Sequence, residues 1–116
     1  MSRAMLPALA RTGGAIVNVG AAATLKAVTG MGAYTASKSG VARFTEALAD
    51  ELKDKGVRVN AVLPSIIDTP ANRSAMGEDD VDKWVTPTEL AAVIDFLLSD
   101  RASGVTGATI PVTGRI

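Results

Sequence analysis

Cysteine and histidine are absent from the 116-residue chain, and aromatic residues make up only 3% of it. The two absences exclude disulfides, cysteine nucleophiles, zinc sites built on Cys or His, and any Ser-His-Asp arrangement. Chemistry must come from other side chains. Neither charge is in excess, with Lys+Arg and Asp+Glu at 12 each, so no basic field invites nucleic acid. The apolar start, residues 1–10, is too short to span a bilayer and is interrupted by Pro7. No membrane partner and a cytoplasmic location are therefore expected. What is present, 47% hydrophobic and 21% charged residues, fits one globular domain or a piece of one.

The pattern along the chain alternates strand and helix. Residues 2–11 suit a helix bent at Pro7 and stopped by Gly13-Gly14. Ala15-Ile16-Val17-Asn18-Val19-Gly20 is a short β-branched run bounded by glycines, the signature of a strand covered on both faces of a parallel sheet. Residues 21–33 read as a loop leaving that strand's C-terminal end, where open α/β sheets bind ligands. From Ala33 to about Lys55, Tyr34, Val41, Phe44, Thr45, Leu48 and Leu52 recur at helical steps, and Gly56 ends the run. Val57 to Leu63 is a second buried-type strand, with Pro64 and Ser65 opening a loop on the same sheet edge. Residues 71–86 read as polar and irregular. Thr86-Pro87-Thr88-Glu89 is a capped start to a helix through Leu98, and residues 107–114 suit a third strand, with Pro111 marking an edge or a strand end. The class is α/β, with about three parallel strands and flanking helices.

Tyr34 and Lys38 stand four apart on the long helix, at its N-terminal end and next to the loop after the first strand. An ammonium held near a phenol favours the phenolate and draws its pKa down from about 10 toward a range useful for acid/base work. Alone, a Tyr-x-x-x-Lys spacing is far more often a core tyrosine beside a solvated surface lysine.

The context adds to the spacing. Gly30-Met31-Gly32-Ala33-Tyr34-Thr35-Ala36-Ser37-Lys38-Ser39-Gly40-Val41 follows Ile16-Val17-Asn18-Val19 and precedes Val57-Arg58-Val59-Asn60-Ala61-Val62-Leu63-Pro64. This arrangement closely resembles the core of the short-chain dehydrogenase/reductase family. The resemblance implies the C-terminal half of a Rossmann-like doubly wound domain, an NAD or NADP cofactor and a small-molecule substrate. In that family the tyrosine is the general acid/base for hydride transfer, and the lysine holds the nicotinamide ribose and lowers the tyrosine's pKa. Those roles fall to Tyr34 and Lys38. The loop after Pro64 takes the nicotinamide carboxamide, with Ile67 and Thr69 as its contacts; Thr69 reads equally as a turn residue ahead of Pro70. The family's usual interface, built from the first helix and the tyrosine helix, implies a homo-oligomer. No metal site is implied.

Departures from the family pattern accompany the match. The position of the family's catalytic serine is Ala21, and Ser65 replaces the glycine of its Pro-Gly pair. No strand followed by a glycine-rich turn precedes residue 15, so residues 1–116 read as a partial domain lacking the N-terminal glycine-rich, phosphate-cradling segment. Tight dinucleotide binding by this chain alone is not expected. The family's asparagine on the first helix also falls outside the chain.

Asp68-Thr69-Pro70-Ala71-Asn72-Arg73-Ser74-Ala75-Met76, with Trp84 and Thr86-Pro87 after it, resembles the dihydropteridine reductase branch of the family, which likewise carries alanine at the serine position. That implies a pterin-like substrate; the same segment also reads as a generic lid in which Trp84 and Met76 cover apolar surface. The expected function is NAD(P)-dependent oxidoreduction. The alternative is a truncated, inactive remnant or an oligomerisation partner of a full-length reductase.

Overall fold

The computed structural model describes residues 14–20 and 31–116, and of residues 31–37 the backbone alone. The helix expected over 2–11 and most of the loop expected over 21–33 lie outside the described residues. Within them the order is β1 (Ala15–Val19), α1 (Met31–Leu52), β2 (Arg58–Pro64), α2 (Pro70–Met76), α3 (Pro87–Leu98) and β3 (Thr109–Val112), with single 3-10 turns at Lys53–Lys55, Val81–Lys83 and Asp100–Ala102.

The strands form one parallel sheet with β2 in the middle. Side chains alternate between faces along a strand, and register partners share a face. Ile16 opposite Val59 and Asn18 opposite Ala61 therefore face one way, while Val17 opposite Asn60 and Val19 opposite Val62 face the other. α1 covers the first face: Ile16, Ala49, Leu52, Val57 and Val59 form one buried cluster, with Leu48 packed against it. α3 covers the second, because Arg58 on that face donates to the carbonyls of Leu97 (2.8 Å) and Ser99 (3.0 Å) at the helix end. β2 is thus covered on both sides, as its unbroken apolar run requires. Val59, Ala61, Val62 and Leu63 are fully buried, and each large aliphatic side chain buried this way contributes roughly 1.5–3 kcal/mol.

α1 begins at Met31, two residues before the expected start, and runs to Leu52. Gly56 follows with φ 71°, a left-handed turn that suits glycine, and its N–H donates to the Lys53 carbonyl. Phe44, expected in the buried stripe, instead faces outward and is 61% exposed, while its neighbour Thr45 is the residue turned inward. One residue is about 100° of helix rotation, enough to carry a side chain off the core face.

Asn60 pins the approach to β3. Its Nδ2 donates to the Val105 carbonyl and its Oδ1 accepts from the Ala108 N–H, so this buried amide uses both ends. β3 is an edge strand, which tolerates Pro111 within it. α3 starts with the expected capping box: the Thr86 hydroxyl accepts from the Glu89 N–H, and the Glu89 carboxylate accepts from the Thr86 N–H. The segment 71–86 departs from expectation. It holds α2 and a 3-10 turn, because the Thr69 hydroxyl caps α2 by accepting from the Asn72 N–H and Pro70 occupies its first turn.

Arg58 also donates to the Val105 carbonyl at 3.3 Å, so one guanidinium ties the end of α3 and the approach to β3 to the central strand. Arg58→Met, which keeps the aliphatic stem, should cost about 2 kcal/mol of stability, the range for hydrogen bonds from a charged donor. Urea unfolding of the two proteins checks it.

Candidate active site

α1 runs back against the strands, which brings its N-terminal end to the C-terminal edge of the sheet. Near its far end Ala49 and Leu52 pack on Ile16 and Val59, whereas Val41 reaches Gly20, the residue that follows β1. Gly20 extends the β1–β2 ladder by donating to the Val62 carbonyl, and a Cβ there would overlap Leu63 Cδ1. Tyr34 and Lys38 lie about two turns and one turn ahead of Val41, respectively, at this edge. Lys38 is exposed. The side chain of Tyr34 and the whole of Ala21 lie outside the described residues.

The loop after β2 leaves from the same edge. Pro64, buried, ends β2 opposite Val112 of β3. Ser65 fastens the start of the loop: its N–H donates to the Val112 carbonyl and its hydroxyl to the Thr113 carbonyl. A glycine here would forgo the second bond. Ile67, half-buried, forms a short parallel bridge with Val85, flanked by bonds from the Asp68 N–H to the Val85 carbonyl (2.7 Å) and from the Val85 N–H to the Ile66 carbonyl (2.9 Å). The Ile67 carbonyl accepts from Asn72 Nδ2. Thr69 is the N-cap of α2, which uses its hydroxyl as an acceptor and leaves its proton to be donated. Of the expected site residues, then, Pro64 ends β2, Ile67 and Thr69 lie on the short loop that follows it, and Tyr34 and Lys38 are on the helix whose start lies at the same sheet edge.

Charged residues that were not singled out from the sequence hold this region together. Arg73 on α2 makes a two-pronged pair with Asp68 (2.6 and 2.9 Å) and a further bond to Glu78, and the guanidinium lowers the Asp68 pKa. Arg115 donates to the carbonyls of Asp82 and Trp84 and pairs with both oxygens of Glu89. It thereby clasps the segment whose Val85 bridges Ile67. A capping-box glutamate three residues after Thr86 was legible in the sequence; its second role, receiving Arg115, has no local signal. Trp84 is buried as the lid reading expects, but Met76 is 49% exposed.

The family model described as enoyl-(acyl carrier protein) reductase matches residues 1–114. The chain is 36% identical to 3-oxoacyl-[acyl-carrier-protein] reductase of Pseudomonas aeruginosa over 98% of its own length and 50% of the relative's. Among solved structures it resembles 3-oxoacyl-[acyl-carrier protein] reductase of Brucella melitensis, with a TM-score of 0.78 and 32% identity over 99% of this chain and 47% of that one. It also resembles 4-hydroxyisoleucine dehydrogenase complexed with NADH, with a TM-score of 0.70 and 30% identity over 97% of this chain and 51% of that one. The chain belongs to the short-chain dehydrogenase/reductase family. It spans about half the length of the relatives it matches. Among the described residues no helix is long and apolar enough to cross a membrane.

Arg115, together with the Thr86 N–H, draws the Glu89 pKa down to about 2. A lowered folded-state pKa means that the clasp stabilises fully above the ordinary glutamate value of roughly 4.3 and loses its contribution as pH falls through about 2. The unfolding midpoint of the unsubstituted protein should therefore drop across that window. Glu89→Gln, measured over the same pH series, should start lower and vary less.

Proposed function

We propose that this chain supplies the catalytic half of an NAD(P)-dependent oxidoreductase acting on a carbonyl or alcohol of a small molecule. The observation that carries the reading is the convergence of the α1 start, bearing Tyr34 and Lys38, and the loop of Pro64, Ile67 and Thr69 on one edge of a parallel sheet. Open α/β sheets bind their ligands at that edge. The donor set there fits the nicotinamide half of a dinucleotide: the Lys38 ammonium suits vicinal ribose hydroxyls, and the Thr69 hydroxyl proton suits a carboxamide oxygen. When bound, the nicotinamide supplies or takes up a hydride. This chain's own part is the proton. Tyr34 gives its phenolic proton to the substrate oxygen in reduction and takes one back in oxidation, and Lys38 favours the phenolate by its charge. Ile67 and Thr69 orient the ring from a loop that Arg73 and Arg115 hold rigid from outside.

The related reductases and dehydrogenases support this reading over an inactive remnant. The phosphate-cradling segment expected for the family belongs to the part of the domain not spanned by residues 1–116; the homo-oligomer rests on the resemblance, and the cytoplasmic location on the short apolar start that Pro7 interrupts. For the substrate, Ala21 and the segment from Asp68 to Pro87 favour a second reading, a pterin-like acceptor, which asks for less polarisation at the reacting centre than a ketone does.

In a family-length domain carrying this chain, Tyr34→Phe should lower turnover by about 10²-fold or more, the contribution of a positioned acid/base. Turnover that survives the substitution contradicts the assignment. Assaying the unsubstituted protein on a 3-oxoacyl thioester and on a quinonoid dihydropterin separates the two substrate readings.

A further inference from the structure

Among the described residues, three buried side-chain polar atoms have no hydrogen-bond partner: Asn18 Nδ2, Thr45 Oγ1 and Thr109 Oγ1. They come from three different elements, yet the register gathers them into one layer. Asn18 of β1 stands opposite Ala61 of β2, and Ala61 stands opposite Thr109 of β3. All three share a face. It is the face that α1 covers, since Ile16 and Val59, two residues earlier on their strands, pack on Ala49 and Leu52.

α1 crosses this row at Thr45. One turn further along, Ala49 Cβ lies 3.6 Å from where a Cβ of Gly107 would stand, and the Gly107 N–H donates to Val59, one step before the row. One turn earlier, Val41 lies 3.7 Å from the Cβ position of Gly20, one step after it. Thr45, four residues from each and fully buried, therefore falls above the row by helix geometry. Ala61 contributes only a methyl group beneath it. With neighbouring strands about 4.8 Å apart, Asn18 and Thr109 flank Ala61 with their backbones roughly 10 Å from one another. That is a long way for a direct bond between two short side chains, and the helix hydroxyl stands between them.

Three unpaired polar groups in one dry layer would be costly, and buried polar groups in folded proteins find partners in protein or in ordered water. We infer that the layer between α1 and the sheet holds buried water, linking Asn18 Nδ2 to Thr109 Oγ1 through the Thr45 hydroxyl. The donors and acceptors match in sequence. Asn18 Nδ2 donates to a first water, which donates to Thr45 Oγ1; the Thr45 hydroxyl donates to a second water, which donates to Thr109 Oγ1. Each water thus has the helix on one side and a strand on the other. The bridge ties α1 to the two outer strands across β2, two turns from Lys38, and does not depend on the catalytic reading.

A crystal structure fine enough to show ordered water, with two variants, tests this. Thr45→Val and Thr109→Val keep side-chain shape and remove a hydroxyl. The inference expects density for water on either side of Thr45 and a lower urea midpoint for each variant, since each strands the water's remaining bonds. Thr109 lies on an edge strand and is partly exposed, so its variant gives a sign even if Thr45→Val fails to fold. A dry layer overturns the inference. So does a raised midpoint in either variant, the result expected from relieving an unpaired hydroxyl.

Discussion

Burial of β2 between two helices is the constraint on which the rest of the structure depends. Its side chains alternate into two cores, Val59, Ala61 and Leu63 toward α1, Arg58, Asn60 and Val62 toward α3. A strand buried on both faces cannot shift by one residue without exchanging every side chain between the two cores. Once β2 is fixed, α1 has to lie across it with its N-terminal end at the C-terminal edge of the sheet, and the loop after Pro64 has to emerge at that edge. That the start of α1, which carries Tyr34 and Lys38, and the loop that carries Ile67 and Thr69 lie at one edge of the sheet follows from this geometry, with no contact between the two needed.

Polar groups on β2 do as much positioning as apolar ones. Arg58 and Asn60 face the same side, and between them they bond the carbonyls of Leu97, Ser99 and Val105 and the N–H of Ala108. They carry the chain from α3 to β3 across a stretch with little apolar surface. On the outside, Arg73 and Arg115 do similar work at the surface, where salt screens the interaction and each pair contributes modestly. Their value is geometric: they hold the 66–89 segment in one arrangement beside the sheet edge.

Much of this was legible in the sequence. The apolar runs of β1 and β2 and the period of α1 gave the parallel α/β class, and Thr86-Pro87-Thr88-Glu89 gave the start of α3. The family resemblance supplied the site. α2 escaped because its start, Thr69-Pro70, lacks the acidic third residue that marks α3, and because none of its residues is buried, so no apolar period betrays it. Of the adjacent Phe44 and Thr45, both placed in the stripe, only Thr45 is buried, because neighbours on a helix stand about 100° apart and the period alone does not say which of the two faces the sheet. The Arg115–Glu89 and Arg73–Asp68 pairs join residues by tertiary path or by a turn, and spacing alone could not single them out. Ser65, a departure from the family pattern, reads locally as a loop residue; that its hydroxyl bonds Thr113 depends on the neighbouring strand.

The claim that β2 organises the molecule is tested most directly by native-state hydrogen exchange. The amides of Val59, Ala61, Val62 and Leu63 should exchange slowest, through the most global opening, while the Arg73 and Gly77 amides of α2, which bond the carbonyls of Thr69 and Arg73, should exchange through local opening at far lower cost. Protection of α2 equal to that of β2, or exchange of β2 amides ahead of α1 and α3, would contradict the account.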